Sequence, residues 1–109
     1  MNDNFKISLE EGLHKLNLSG KEFINLFNHG TLEVELYQPN LIDKQEPHEK
    51  DEIYIIASGS GKFFNEGKNV DVMKGDFVFV QAGNEHRFFD FSDDFSTWVI
   101  FYGPKGGEK

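Results

Sequence analysis

Residues 52–80 read EIYIIASGSGKFFNEGKNVDVMKGDFVFV. Short runs rich in β-branched and aromatic residues are cut by glycine-centred polar turns at Ser58-Gly59-Ser60-Gly61, Glu66-Gly67-Lys68-Asn69 and Lys74-Gly75-Asp76. Such runs, reversed at intervals of roughly ten residues, are the pattern of an all-β sandwich or barrel. The spacing predicts strands over 52–57, 62–65, 70–73 and 77–80.

The flanking sequence continues the pattern. Upstream, Phe23, Asn25, Phe27 and then Leu32, Val34, Leu36 alternate with polar residues around the turn Asn28-His29-Gly30, which predicts a hairpin. Ser8 and Glu11 form a capping-box pair, and Leu9, Leu13 and Leu16 follow at helical spacing, so one short N-terminal helix is expected over 8–17, with Gly12 as its weak point. Residues 38–47 have loop composition and end on Pro47. Downstream, a bend at 81–85 leads to strands over 86–91 and 95–102, and residues 104–109 are expected to fray. The chain thus reads as a single domain over 1–109, with its barrel over about 21–103.

Composition narrows the function classes. A chain of 109 residues suits one core, and 12 Phe with one Trp imply that aromatic rings fill much of it. Without cysteine, any metal must be held by nitrogen and oxygen donors. The net charge of −8, with basic residues scattered singly, opposes a phosphate backbone, so no nucleic-acid partner is expected. The N-terminal MNDNFKISLEEGL shows no basic segment followed by an apolar run, and no stretch is long and apolar enough for a membrane span. A cytoplasmic location and no membrane partner are the expectations.

The chemistry concentrates at two strand entrances. Counting by twos along an extended chain places Glu46, His48, Glu52, Tyr54 and Ile56 on one face and sends Glu49 and Asp51 outward. A carboxylate among Tyr and Ile side chains costs several kcal/mol unless a counter-charge is present; a metal ion supplies the charge. The second entrance, Asn84-Glu85-His86-Arg87-Phe88, offers His86 and then Phe88 inward, with Arg87 outward. His14 is a solvated helix residue and His29 a turn residue; neither is a candidate ligand.

These residues resemble the cupin family, whose motifs read G(x)5HxH(x)3–4E(x)6G and G(x)5PxG(x)2H(x)3N. The resemblance runs from about Gly30 to Gly103. His48 fits the second histidine of the first motif, with Glu52 and Gly59 at its later positions, and Gly75, Gly83 and His86 fit the second motif. Four positions depart: Asn40 for the first glycine, Glu46 for the first histidine, Gln81 for proline and Asp90 for asparagine. The resemblance implies a cupin-type double-stranded β-helix, or jelly-roll barrel, holding one divalent ion through His48, Glu52 and His86. Glu46 is a candidate fourth ligand. Among Fe, Mn, Zn and Ni, the oxygen-rich set favours iron or manganese.

Histidines inside such a barrel are also found as plain core residues; two at ligand spacing with a glutamate on the same face favour the metal. Tyr54, Phe88, Trp98 and Tyr102 are candidate pocket residues, although alternating aromatics also serve as core. Two function classes stand: a metal-dependent enzyme with dioxygenase-, decarboxylase- or isomerase-like chemistry on a small molecule, and a non-catalytic metal or small-molecule binding or sensor module. Whether the chain is an enzyme is left open by the residues. The edge strand 77–80 needs cover, and a homodimer is expected.

Overall fold

The computed structural model describes residues 5–109; residues 1–4, including the start of the expected single domain and of the N-terminal segment read for a leader, lie outside the described residues. Helix α1 spans Leu9–Ser19 and is followed by β1 (Phe23–His29), β2 (Leu32–Tyr37), β3 (Asp51–Ser58), β4 (Ser60–Asn65), β5 (Lys68–Met73), β6 (Phe77–Val80), β7 (His86–Phe89) and β8 (Ser96–Tyr102). Pairing is antiparallel throughout. One sheet has five strands in the order β1-β2-β8-β3-β6 and the other three in the order β5-β4-β7, a jelly-roll sandwich.

The two inner faces meet in an aromatic core. Tyr54, Ile56, Val80 and Val99 from the larger sheet pack with Phe63, Val72 and Phe88 from the smaller, and Phe95 closes one end. Ring centroids lie 4.6 Å apart for Phe63 and Phe88, 4.9 Å for Tyr54 and Phe88, and 4.9 Å for Phe88 and Phe95. Phe88 stands at the centre of this set, and truncating such a ring to Ala costs about 3–5 kcal/mol.

The helix begins at Ser8, whose hydroxyl accepts from Glu11 N at 3.1 Å, and ends on Gly20 at φ 71°. Gly12, unfavourable by propensity, is explained by packing. A Cβ there would stand 3.0 Å from Leu36 and 3.2 Å from Leu26, so glycine lets the helix lie close on the outer face of β2. β2 is therefore covered on both sides: Leu36 packs outward under the helix, while Glu35 and Tyr37 face the barrel. Gly59 turns β3 into β4 at φ 74°, where a Cβ would meet Phe95 Cα at 2.8 Å; this single residue replaces the four-residue turn expected at 58–61.

Asp51 points away from the barrel interior, as the count by twos expects, yet it is only 2% exposed. Its Oδ1 accepts from Ala82 N and its Oδ2 from Glu108 N, both at 2.9 Å. The tail expected to fray is held at residues 106–108: Gly106 N donates to Glu49 O at 2.7 Å and Gly107 is buried against Asp51 and Ala82. A strand's outer face is solvent only where nothing covers it, and here the tail does. β7 also ends at Phe89 rather than at 91, because Asp90 adopts φ 48° and turns the chain.

The two backbone donors hold the Asp51 carboxyl below its ordinary pKa. Its anchoring is thus present above the usual carboxylate range and is lost as pH falls through the lowered value. Asp51→Asn can satisfy one of the two N–H groups, and the protection of the amides of residues 106–109, taken relative to the unstructured chain at the same pH, is expected to fall in the variant at pH 7 to the level that wild type reaches only in acid.

Candidate metal centre

Glu52 and His86 come from opposite sheets. On β3 the buried residues Glu52, Tyr54 and Ile56 alternate with half-buried Ile53 and Ile55, and on β7 buried His86 and Phe88 flank exposed Arg87. Inner-face parity therefore aims the carboxylate and the imidazole at each other across the barrel. Their closest atoms, Glu52 Oε1 and His86 Nε2, lie 2.8 Å apart, with the side chains 1% and 0% exposed. His48 approaches from the loop before β3. Its Nε2 stands 3.8 Å from the same carboxylate oxygen, and its ring packs edge-on against Phe101. Ligand atoms of His48, Glu52 and His86 all fall within 4.8 Å of one another.

Hydrogen bonding leaves this cluster unbalanced. His86 Nδ1 lies 2.9 Å from the Asn84 carbonyl, which only accepts, so Nδ1 carries a proton and the neutral ring directs the Nε2 lone pair at Glu52. Glu52 Oε1, Glu52 Oε2 and His86 Nε2 are all buried without a hydrogen-bond partner. Three converging lone-pair atoms in a dry barrel end require a proton or a cation between them. The donor set, two imidazoles and a carboxylate with no thiolate, fits a divalent ion with open coordination positions.

In the metal-free protein a proton on His86 Nε2 is the alternative to a cation. Burial opposes the imidazolium, but the Glu52 carboxylate, the Asn84 carbonyl and the charge of Asp43 outweigh it and raise the His86 pKa above 6.5. Tyr54, buried beside Glu52 and Asp43, is pushed well above 10 and stays neutral.

Three of the candidates are displaced. Glu46 is exposed and is not part of the cluster. Strand periodicity begins only at Asp51 and no strand covers residues 43–48, so the count by twos does not govern them, and Gln45 rather than Glu46 turns inward. Trp98 and Tyr102 lie on the face of β8 opposite Val99 and Phe101. Trp98 meets the helix at Gly12 and lines an outer groove with Val34 and Phe27. Tyr54 and Phe88 stand in the core directly behind His86.

Three contributors went unread in the sequence. Asp43, 7% exposed, accepts from Tyr37 Oη at 2.7 Å and from Phe88 N at 2.8 Å, tying the long loop to both sheets. Gln45 Oε1 lies 3.2 Å from His48 Nε2 and accepts from Tyr54 Oη at 3.1 Å. Glu35 lines a cavity of about 360 Å³ that reaches His48 between Phe23, Tyr37, Val99 and Phe101. Burial, then the nearby charges of Glu33 and Glu52, raise its pKa. The available signal was that Glu33 and Glu35 alternate with residues that a helix covers.

The Cupin domain family matches residues 33–101. An uncharacterized protein of Streptomyces coelicolor is 29% identical over 85 residues, covering 76% of this chain and 81% of its own. A protein of Photorhabdus luminescens superposes with a TM-score of 0.68 at 15% identity, covering 94% of this chain and 89% of its own. A DMSP lyase from Ruegeria pomeroyi superposes with a TM-score of 0.64 at 24% identity, covering 74% of this chain and 46% of the larger protein.

For metal-free protein, the raised His86 pKa implies stability that is fully present below about pH 6.5 and is lost as pH rises through the folded-state value. Imidazole NMR titration is expected to place His86 above the ordinary histidine value of about 6.5, and Glu52→Gln is expected to lower it, since burial then acts with less opposition.

Proposed function

The chain belongs to the cupin domain family, and on that premise we propose that it holds one divalent metal ion through His48, Glu52 and His86 and uses it to bind a small molecule. The ligand enters by the cavity beside His48 and completes the coordination with its own oxygen donors. The observation that carries this is the set of three buried, partnerless atoms, Glu52 Oε1, Glu52 Oε2 and His86 Nε2. Iron(II) or manganese(II) suits the hard oxygen donor, the two imidazoles and the open positions. Bound there, the ion supplies a Lewis acid that polarises an oxygen ligand.

The chain's residues do the rest. Asn84 fixes the His86 tautomer, and the Phe101 edge holds the His48 ring. Val99, Phe101 and Tyr37 form an apolar wall that limits water, and Glu35, inclined toward its neutral form, is placed in the same cavity to exchange a proton with the ligand. Turnover separates an enzyme from a binding or sensor module at the same site. Oxygen uptake by iron(II)-loaded protein, across diphenols, thiols and keto acids, reads that difference.

Protein purified without chelator is expected to carry about one metal ion per chain. Glu52→Ala and His86→Ala are each expected to weaken metal affinity about a hundredfold or more, beyond the losses seen when a ligand's supporting partner is removed. Equal metal content in wild type and a His48→Ala, His86→Ala double variant would sink the proposal.

The proposal includes a homodimer through the edge strand β6, whose Phe77 and Phe79 are 61% and 42% exposed. No described helix is long and apolar enough to cross a membrane. Sedimentation is expected to give twice the chain mass, with Phe77→Lys shifting it to the monomer.

A further inference from the structure

Given a metal ion at His48, Glu52 and His86, we infer that the amide oxygen of Gln45 is its fourth protein donor. This neutral donor leaves the ion and its direct donors with a net positive charge, so the ligand taken in the open positions is an anionic oxygen compound such as a carboxylate or an enolate.

The orientation of the amide follows from its neighbours. Asp43 Oδ2 lies 3.2 Å from the Gln45 side chain, and a carboxylate only accepts, so the NH2 end faces Asp43 and the carbonyl end faces the centre. Asp43 itself is fixed. Its Oδ1 also accepts from Gln45 N at 3.0 Å and from Tyr37 Oη at 2.7 Å, and its Oδ2 accepts from Phe88 N at 2.8 Å. The glutamine is thus held at both its backbone and its side-chain nitrogen by one buried carboxylate.

The carbonyl oxygen has two lone pairs, and the Tyr54 hydroxyl takes one at 3.1 Å. The other lies toward His48 Nε2 at 3.2 Å. When His48 Nε2 gives its lone pair to an ion it carries no proton, and Gln45 Oε1 then faces it as a second acceptor. The same opposition of lone pairs occurs between Glu52 Oε1 and His86 Nε2, and one cation between the four groups resolves both.

The charge count gives the selectivity. A divalent ion with one carboxylate, two neutral imidazoles and an amide has a net charge of +1, whereas a glutamate in place of Gln45 would bring it to zero. Apolar walls at Val99 and Phe101 lower the local dielectric and strengthen the attraction for an anion. Lys44 at the same cavity adds charge of the same sign. The cavity's carboxylates, Glu22 and Glu35, are set against Lys44, Glu22 accepting from Asn40 N at 2.7 Å.

The test uses full-length protein loaded with Mn(II), the number of metal-bound waters being read by water-proton relaxation. Gln45→Ala is expected to hold Mn(II) about tenfold more weakly and to gain one water. Gln45→Glu restores an oxygen donor, so it is expected to keep the wild-type water number while binding acetate, the anionic probe, about tenfold more weakly. An unchanged water number in Gln45→Ala overturns the ligand assignment, and undiminished acetate affinity in Gln45→Glu overturns the charge selectivity. Should Gln45→Ala fail to fold, a lowered water number in Gln45→Glu, the carboxylate displacing a water that the amide had not displaced, decides against the assignment. Failure of wild type to take up Mn(II) overturns the metal reading itself and is seen before any variant is made.

Discussion

The contact between Glu52 on β3 and His86 on β7 joins the two sheets at one end of the barrel, and nearby polar side chains are arranged around it. A carboxylate 1% exposed beside Tyr54 and Val80 is costly in isolation, by several kcal/mol after relaxation. The imidazole 2.8 Å away does not offset that cost while its proton sits on Nδ1. A proton on Nε2 or a cation between the sheets does. Metal loading and His86 protonation are therefore competing solutions of one electrostatic problem, and a metal ion there would also tie the sheets together.

Two buried aspartates carry the consequences outward. Asp43 organises the loop between β2 and β3, binding Tyr37, Gln45 and the backbone of Phe88, and so sets what reaches the centre from that side. Asp51 joins the first residue of β3 to the bend before β7 and to the C-terminal tail. The bend is held a second time by Gly83 N donating to His48 O at 2.8 Å. Each carboxylate satisfies backbone N–H groups that no sheet ladder reaches, which is why loops can be rigid enough to place a ligand side chain.

The helix has a subtler effect on function. By covering the outer face of β2, it takes up Leu36 and leaves Glu35 and Tyr37 for the interior. The cavity thereby acquires a half-buried carboxyl and a phenol from a strand whose apolar residues face away from the barrel.

Much of this was legible in the chain itself. Glycine turns between short apolar runs set the strands, because a hairpin needs backbone angles that few other residues adopt, and the period of two inside β3 and β7 put Glu52, Tyr54, His86 and Phe88 on one face. The residues that the sequence misplaced lie where no period operates or where one face has two possible covers. Glu46 and Gln45 precede the strand, so only the loop's anchoring on Asp43 decides which of them turns inward. Trp98 and Tyr102 point away from the barrel interior, and Asp51, outward as expected, is covered all the same. Parity separates the two faces of a strand but does not say which is core or what covers it. That depends on the tail docking over β3 and the helix over β2 and β8, contacts between residues far apart in sequence that only the assembled tertiary structure decides.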